Sequence, residues 1–105
     1  MRGAAALLVL AAGCGRSAGP TADELALERL AEADALHAEK RWEEAAVRYE
    51  EVVRRRDLIR DAWLRLSECY AAWGDRARAA STLERWLRVD PTDEEARARR
   101  DALVR

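Results

Sequence analysis

The chain has 105 residues, a length that suits about one small domain. Its 19 lysines and arginines almost balance its 20 aspartates and glutamates. This balance argues against a nucleic-acid-binding protein, which normally carries a basic face and a high pI. Two cysteines are too few for the disulfide framework of a small secreted domain, and the abundance of Ala, Leu, Glu and Arg is typical of a helical protein.

The N-terminal segment has the features of a secretory signal. A short positive start over residues 1–3 precedes nine apolar residues from Ala4 to Ala12. A run of this length is too short to cross a bilayer, which takes about 20 residues. It matches the apolar core of a signal peptide, which is about 7–15 residues long.

The end of this run resembles the bacterial lipobox. It reads Leu-Ala-Ala-Gly-Cys over residues 10–14, with Ala11 where the family most often has leucine. The resemblance implies that residues 1–13 are cleaved off and that Cys14 carries a lipid. Because Gly15 rather than Asp follows the cysteine, it also implies an outer-membrane location facing the periplasm. The alternative is an ordinary secretory signal with an incidental cysteine.

Residues 14–21 are then the lipidated cysteine and a flexible tether. Residues 15–20 reach at most about 20 Å when fully extended. The folded part is therefore expected to stay close to the membrane surface.

A helical domain is predicted over residues 22–105. Thr21 and Glu24 form the pattern of a capping box before its first helix, and apolar residues then recur at spacings of three and four. A second helical pattern begins at Trp42, after a polar corner. The third helix is predicted to begin at the N-cap Asp57 and to end at Gly74. The fourth is predicted to begin at the N-cap Asp75 and to stop at Asp90–Pro91. A second capping box, of Thr92 with Glu95, precedes a last helix that runs to about Val104.

Shifting the chain by 34 residues superimposes similar residues, such as Ala45–Ala46 on Ala79–Ala80. This is the period of the tetratricopeptide repeat, and the chain resembles that family, with repeats at about 26–59 and 60–93 and a capping helix at about 93–104. The residues that fit the family's spacings, and that are expected to define the repeats, are Ala33, Trp42, Ala45 and Tyr49 in the first unit and Trp63, Leu66, Tyr70, Gly74, Ala79, Leu83 and Pro91 in the second.

The resemblance implies an all-α fold, in which antiparallel helix pairs stack as a short solenoid with a C-terminal capping helix. A plain bundle of helical hairpins with accidental repetition is the alternative. Trp86 stands where the family usually has a small residue, and we expect it to pack against the last helix. Trp73 is expected either to be partly exposed or to pack against Trp42 or Trp86.

The resemblance also implies a concave face built from the first helix of each pair. A peptide or helix of another envelope protein would bind there, with no strong preference for either charge. The basic clamp of the chaperone-binding members is absent, so capture of a C-terminal carboxylate is not expected. The partner-binding residues expected on this face are Leu30, Asp34, His37, Leu64, Arg65, Glu68, Ala98 and Arg99.

No set of residues for catalysis stands out, so the chain is not expected to be an enzyme, and neither a cofactor nor a metal is implied. The single histidine, His37, is interpreted as a surface residue near Asp34, and Cys69 as a small buried residue. The arginines at 54–56 and 97–100 could bind phosphate or lipid head groups. Nearby glutamates favour solvated ion pairs instead.

Together these features predict a membrane-anchored adaptor of the bacterial cell envelope. The alternatives are a structural accessory that acts by its convex face or by self-association, and a regulator of an envelope enzyme. Two repeats and a cap fall short of the three repeats that a stable solenoid usually needs. A partner, or a second copy in a homo-oligomer, is expected to supply the missing contacts.

Overall fold

A computed structural model describes residues 19–105, and this part of the chain is helical without a strand. The predicted all-α fold class is confirmed. The predicted signal peptide and Cys14 lie outside the described residues. None of the helices in the described part is long and apolar enough to span a membrane. The helices are α1 (Ala22–Ala38), α2 (Trp42–Arg55), α3 (Arg60–Ala72), α4 (Arg76–Val89) and α5 (Glu94–Leu103).

Consecutive helices run antiparallel, because turns of only a few residues join them. α1 packs on α2 and α3 packs on α4, which makes two helix pairs. α2 also packs on α3, and α5 lies against α4. The starts of α1, α3 and α5 therefore lie at one end of the module, and the starts of α2 and α4 lie at the other.

The predicted capping box at the start of α1 is confirmed. The Thr21 hydroxyl accepts a hydrogen bond from the Glu24 backbone N–H at 3.1 Å. The Thr21 N–H in turn donates to the Glu24 carboxylate at 2.8 Å. This carboxylate is thereby hydrogen-bonded in its charged form, which lowers the pKa of Glu24.

The turns after α1 and α3 have the same geometry, 34 residues apart. In each, a residue with positive φ follows the helix: Lys40 (φ 61°) in the first turn and Gly74 (φ 96°) in the second. The N–H of Arg41 donates to the Leu36 carbonyl, and that of Asp75 to the Tyr70 carbonyl. Both turns are Schellman motifs, and the predicted helix end at Gly74 is confirmed.

The predicted cap of α3 is wrong. The N-cap is Ile59, and no side chain caps the helix. Asp57 lies in the preceding turn, where its backbone carbonyl accepts a hydrogen bond from the Trp63 indole at 2.8 Å. The indole holds this turn against the first turn of α3, so the Asp57 side chain stays outside the helix end.

The predicted second capping box is also wrong, by one residue. Asp93 is the N-cap of α5, and its carboxylate accepts from the Ala96 N–H at 3.1 Å. Thr92 instead donates its hydroxyl to the Asp90 carboxylate at 2.6 Å. Asp93 is preferred because its carboxylate also accepts from Arg60, at 2.6 Å. The predicted cap of α4 is confirmed, since Asp75 accepts from the Arg78 N–H.

Trp86 fills the space between the second helix pair and the last helix. Its side chain is buried, and its ring centroid lies 6.4 Å from that of Trp63. The indole N–H donates to the Asp93 carboxylate at 2.8 Å. A tryptophan at this position therefore reaches the N-cap of α5.

The core combines small residues at the helix contacts with larger side chains between them. Ala33, Ala45 and Ala79 are fully buried, and small residues at such positions let helix axes come close together. Tyr49 and Leu83, at equivalent places in the two units, are fully buried as well. Of the other residues at the family's spacings, Trp63, Leu66 and Tyr70 are buried, Trp42 is half-buried, and Gly74 and Pro91 are exposed in turns.

Candidate functional site

The surface shared by α1, α3 and α5, the first helices of successive pairs, is called the A-face here. The binding residues expected from the sequence lie on this face or directly beneath it. Leu64 exposes only 6% of its surface and belongs to the core, so it offers no contact to a partner. Leu30, Asp34, His37, Arg65 and Arg99 are half-buried, and Glu68 and Ala98 are exposed.

Two ion pairs cross the A-face with the period of the repeat. Arg65 lies 2.7 Å from Asp34, and Arg99 lies 3.2 Å from Glu68. In each pair, the carboxylate belongs to one unit and the arginine to the first helix of the next. We call this arrangement the ion-pair ladder. It pairs these four charges with one another within the module.

Asp34 joins three helices. Its Oδ1 atom accepts a hydrogen bond from the Arg65 guanidinium at 2.7 Å and another from the Tyr49 hydroxyl at 2.5 Å. Burial raises the pKa of Tyr49, and the hydrogen bond to Asp34 raises it further. The phenol therefore stays neutral and acts as a fixed donor, which ties α2 to α1 and α3.

His37 connects α1 to α3. Its Nε2 atom lies 3.1 Å from a Glu68 oxygen, so its hydrogen-bond partner is Glu68 of α3. The imidazole also meets the Trp42 ring edge to face, with centroids 5.3 Å apart. Its side chain is 27% exposed, and these contacts give it a packing role.

Cys69 sits in the core of α3. It is fully buried, and burial raises the pKa of its thiol to about 12. The thiol is therefore neutral at physiological pH and is a poor nucleophile. Within residues 19–105, no group of three or more His, Cys, Asp or Glu side chains is placed to hold a metal ion.

An apolar cleft of about 240 Å³ opens on the A-face between α3 and α5. Ala71 comes from α3, and Ala102 and Leu103 come from the end of α5. The Glu68–Arg99 ion pair borders the cleft. Sequence reasoning missed Ala102 and Leu103, because charged residues predominate in the last helix and hide its apolar side.

A second cleft, of about 390 Å³, lies where α1 begins. Its apolar lining comes from Ala26, Leu27 and Leu30, together with Ile59 from the turn before α3. Leu27 is 62% exposed. The apolar pattern of α1 includes Leu27, but the equivalent residue of the next unit is Asp61, so the 34-residue repeat does not mark Leu27 as part of a site.

The opposite side of the module carries an aromatic stack. Trp73 is 43% exposed, as one expectation had it, and its ring stacks on Tyr70 with centroids 6.1 Å apart. The Arg78 guanidinium lies 5.2 Å from the Tyr70 centroid. A groove of about 290 Å³, called the B-face groove here, adjoins this stack and is lined by Glu43, Ala46, Val47, Glu50, Arg54, Tyr70, Trp73 and Arg78.

Several members of the two arginine runs have partners within the module. Arg56 pairs with Asp23 at 2.8 Å, and Arg100 pairs with Asp101 at 3.0 Å. Arg97 donates to the Pro91 carbonyl. These contacts agree with the interpretation of the runs as ion-pairing helix surfaces.

A family model of the tetratricopeptide repeat matches residues 36–101, which is more than half of the chain. The chain belongs to the tetratricopeptide repeat family. No curated protein and no solved structure matches it. The match runs from the end of α1 to near the end of α5. It includes both Schellman turns and the Glu68–Arg99 pair, and Asp34 of the other ion pair lies two residues before it.

A tetratricopeptide repeat is a protein–protein interaction module. Stacked repeats of this kind present extended surfaces to their partners. In this tetratricopeptide repeat protein, the A-face offers an apolar cleft beside paired charges. Those features suit the docking of another polypeptide.

Proposed function

We propose that this chain is a lipid-anchored adaptor of the bacterial cell envelope, and that its A-face binds a peptide or helix of another envelope protein. The observation that carries the binding part is the apolar cleft between α3 and α5. Its rim is the Glu68–Arg99 pair, whose two charges already have partners. An aliphatic side chain can enter this cleft and lose water without leaving a charge unpaired.

One apolar anchor in a pocket is a common way for an interface to concentrate its binding energy. The cleft has room for an aliphatic side chain, and Glu68 lines it. Exposed Ala98 lies on α5 one helical turn before Ala102 of the cleft. The ion-pair ladder has equal numbers of both charges. We therefore infer a partner segment with an aliphatic anchor and no strong net charge.

The anchoring part of the proposal rests on residues 10–14 and their resemblance to the lipobox. Two or more acyl chains on Cys14 make a durable anchor, since each buried CH₂ contributes about 0.8 kcal/mol. The tether of residues 15–20 keeps the A-face close to the bilayer, where partners in the same membrane are within reach.

Site-specific crosslinking tests where the partner binds. A photoreactive residue at Ala98 should give a discrete crosslinked product in membranes. The substitution Ala102→Glu places a charge in the cleft and should weaken that product about tenfold, which corresponds to roughly 1.4 kcal/mol. Ser81→Glu adds the same charge to an exposed site of α4 and should leave the product unchanged. An unchanged product in Ala102→Glu would exclude the cleft.

Binding through the opposite side is the second candidate. The B-face groove favours it, because Val47 is 58% exposed and Trp73 is 43% exposed. A photoreactive residue at Val47 should then crosslink, while one at Ala98 should not. If the product joins two copies of the chain, the groove serves self-association and the protein is a structural accessory.

The lipid anchor is tested separately. Cells that express the chain are fed an alkyne analogue of palmitate, and the label is read on the purified protein. We expect label on the natural chain and none on Cys14→Ser. Natural chain without label, or a labelled Cys14→Ser variant, would contradict the anchor and leave the binding proposal to be judged on the crosslinks.

A further inference from the structure

We propose that the end of the module where α1 begins lies against the phospholipid bilayer, with Leu27 and Leu58 inserted among the head groups. The proposal rests on the anchor at Cys14 that forms part of the proposed function. It adds a second contact with the membrane, made by the folded module itself. This contact would fix how the A-face is presented.

Two of the most exposed large apolar side chains of the described residues lie at this end. Leu58 is 69% exposed and Leu27 is 62% exposed. The Asp23–Arg56 ion pair, at 2.8 Å, joins the first turn of α1 to the turn that carries Leu58. Leu27 and Ile59 line the same cleft of about 390 Å³. The two leucines therefore belong to one surface.

The length and entry point of the chain indicate what covers this surface. α1 begins at Ala22, and the tether from Cys14 reaches at most about 20 Å over residues 15–20. The end of the module at which α1 starts is therefore held next to the bilayer. A short tether also gives a weak surface contact a high effective concentration, so two leucines are enough to orient the module.

The polar groups at this end allow the contact without dominating it. Asp23 and Arg56 are paired, and the Glu24 carboxylate is bonded to the Thr21 N–H. The exposed side chains of Arg55 and Asp57 carry opposite charges next to Leu58. Because the charges are mixed, burial of the leucines drives the contact, and anionic lipid is not required.

The test measures how closely three sites approach the bilayer. Within the described residues, every fully buried residue of the core lies between Ala26 and Ala96, so a chain of residues 15–105 contains this core and is expected to fold. It carries an N-terminal hexahistidine that binds nickel-chelating lipid in phosphatidylcholine vesicles. A fluorophore is placed by Leu27→Cys, Leu58→Cys or Val104→Cys; Cys69 is buried and stays unlabelled.

Val104 is the matched control, because it is also apolar and is 64% exposed. It lies at the opposite end, where Arg76 of α4 donates to the Ala102 and Leu103 carbonyls. Nitroxide head-group lipids should quench the fluorophores at 27 and 58 about threefold more than the one at 104, as expected for side chains within the interface. Adding Leu27→Ser should reduce quenching at 58 about twofold, whereas adding Val47→Ser should not.

Equal quenching at the three sites, or stronger quenching at 104, would overturn the proposal. Because the hexahistidine replaces the natural anchor, this result does not depend on whether Cys14 is lipidated. An absence of palmitate label would contradict only the proposed lipid anchor, and an absence of the expected quenching pattern would contradict only the proposed bilayer contact.

Discussion

Lys40 and Gly74 occupy the same place in two successive turns, and only one of them is suited to it. A left-handed backbone conformation costs an L-residue roughly 1–2 kcal/mol, whereas glycine adopts it without a steric penalty. The hydrogen bonds of the Schellman motif form in both turns. The first turn is therefore maintained by the packing of α1 on α2 and not by its own residue preference.

Replacing Lys40 with glycine should stabilise the protein. We expect the free energy of unfolding to rise by about 0.5–1 kcal/mol, because relief of the left-handed strain exceeds the extra entropy of the unfolded chain. Urea unfolding followed by circular dichroism measures it. The matched variant Gly74→Ala should lower the same quantity by about 1 kcal/mol. A Lys40→Gly protein less stable than the natural one would show that the Lys40 side chain matters more than its backbone.

At the level of the helices, Asp93 is the residue on which three elements meet. Its carboxylate accepts hydrogen bonds from Arg60 at the start of α3, from Trp86 of α4 and from the Ala96 N–H of α5. The hydrogen bond from Arg60 is the main cause of the lowered pKa of Asp93, and the bonds from Trp86 and Ala96 lower it further. Its side chain is only 7% exposed.

This arrangement should make the stability of the protein sensitive to acid. A carboxylate with a lowered pKa in the folded state stabilises the fold fully above its unfolded pKa, about 3.9, and this stabilisation is lost as the pH falls below that value. Asp93→Asn should cost about 1–3 kcal/mol at neutral pH, since a cap and charged hydrogen bonds are weakened.

The measurement is urea unfolding of both proteins from neutral pH downwards. The difference between the natural chain and Asp93→Asn should shrink as the pH drops below about 4. Glu84→Gln changes an exposed carboxylate of α4 and should show no such trend. A difference that stays constant down to the lowest pH would mean that Asp93 acts through shape and not through its charge.

Local patterns in the sequence predicted the helices, the capping box at Thr21 and the turn at Gly74, because each depends on residues a few positions apart. They failed where distant residues decide. Thr92 and Asp93 are both good N-caps, and Arg60, 33 residues away, favours Asp93. The burial of Leu64 and the pairing of His37 with Glu68 depend on how α1 and α3 lie together, which no local pattern contains.

For the whole molecule, the reactivity of the Cys69 thiol measures how readily the module unfolds. Its thiol is fully buried and neutral, so reaction requires at least partial unfolding. A thiol-reactive reagent is added to a Cys14→Ser chain at about pH 8, where an exposed thiol is partly ionised because its pKa is near 8.5. The reagent should label Cys69 of the folded protein at least ~10³-fold more slowly than Cys69 of the unfolded protein.

The rate of labelling in increasing urea gives the measurement. It should rise in step with the loss of helix seen by circular dichroism, if the two units open together. Labelling that is already fast without urea would contradict the burial of Cys69. Labelling that precedes the loss of helix would show instead that α3 separates from its neighbours before the module unfolds.

The ion-pair ladder also says how this module could be lengthened by design. One repeat after Glu68 the chain has Ala102, and one repeat before Arg65 it has Ala31. At the positions that would continue the ladder, the two outer helices therefore have no charge to pair with an added unit. An engineer who appends a copy of residues 60–93 would need an acid at 102 to receive the new arginine. Changing Ala31 to arginine would provide the partner for an acid of a unit added before α1. At either end, one side chain would then favour packing of the added unit if its charge is opposite to that of its partner, and disfavour it if the two charges are alike.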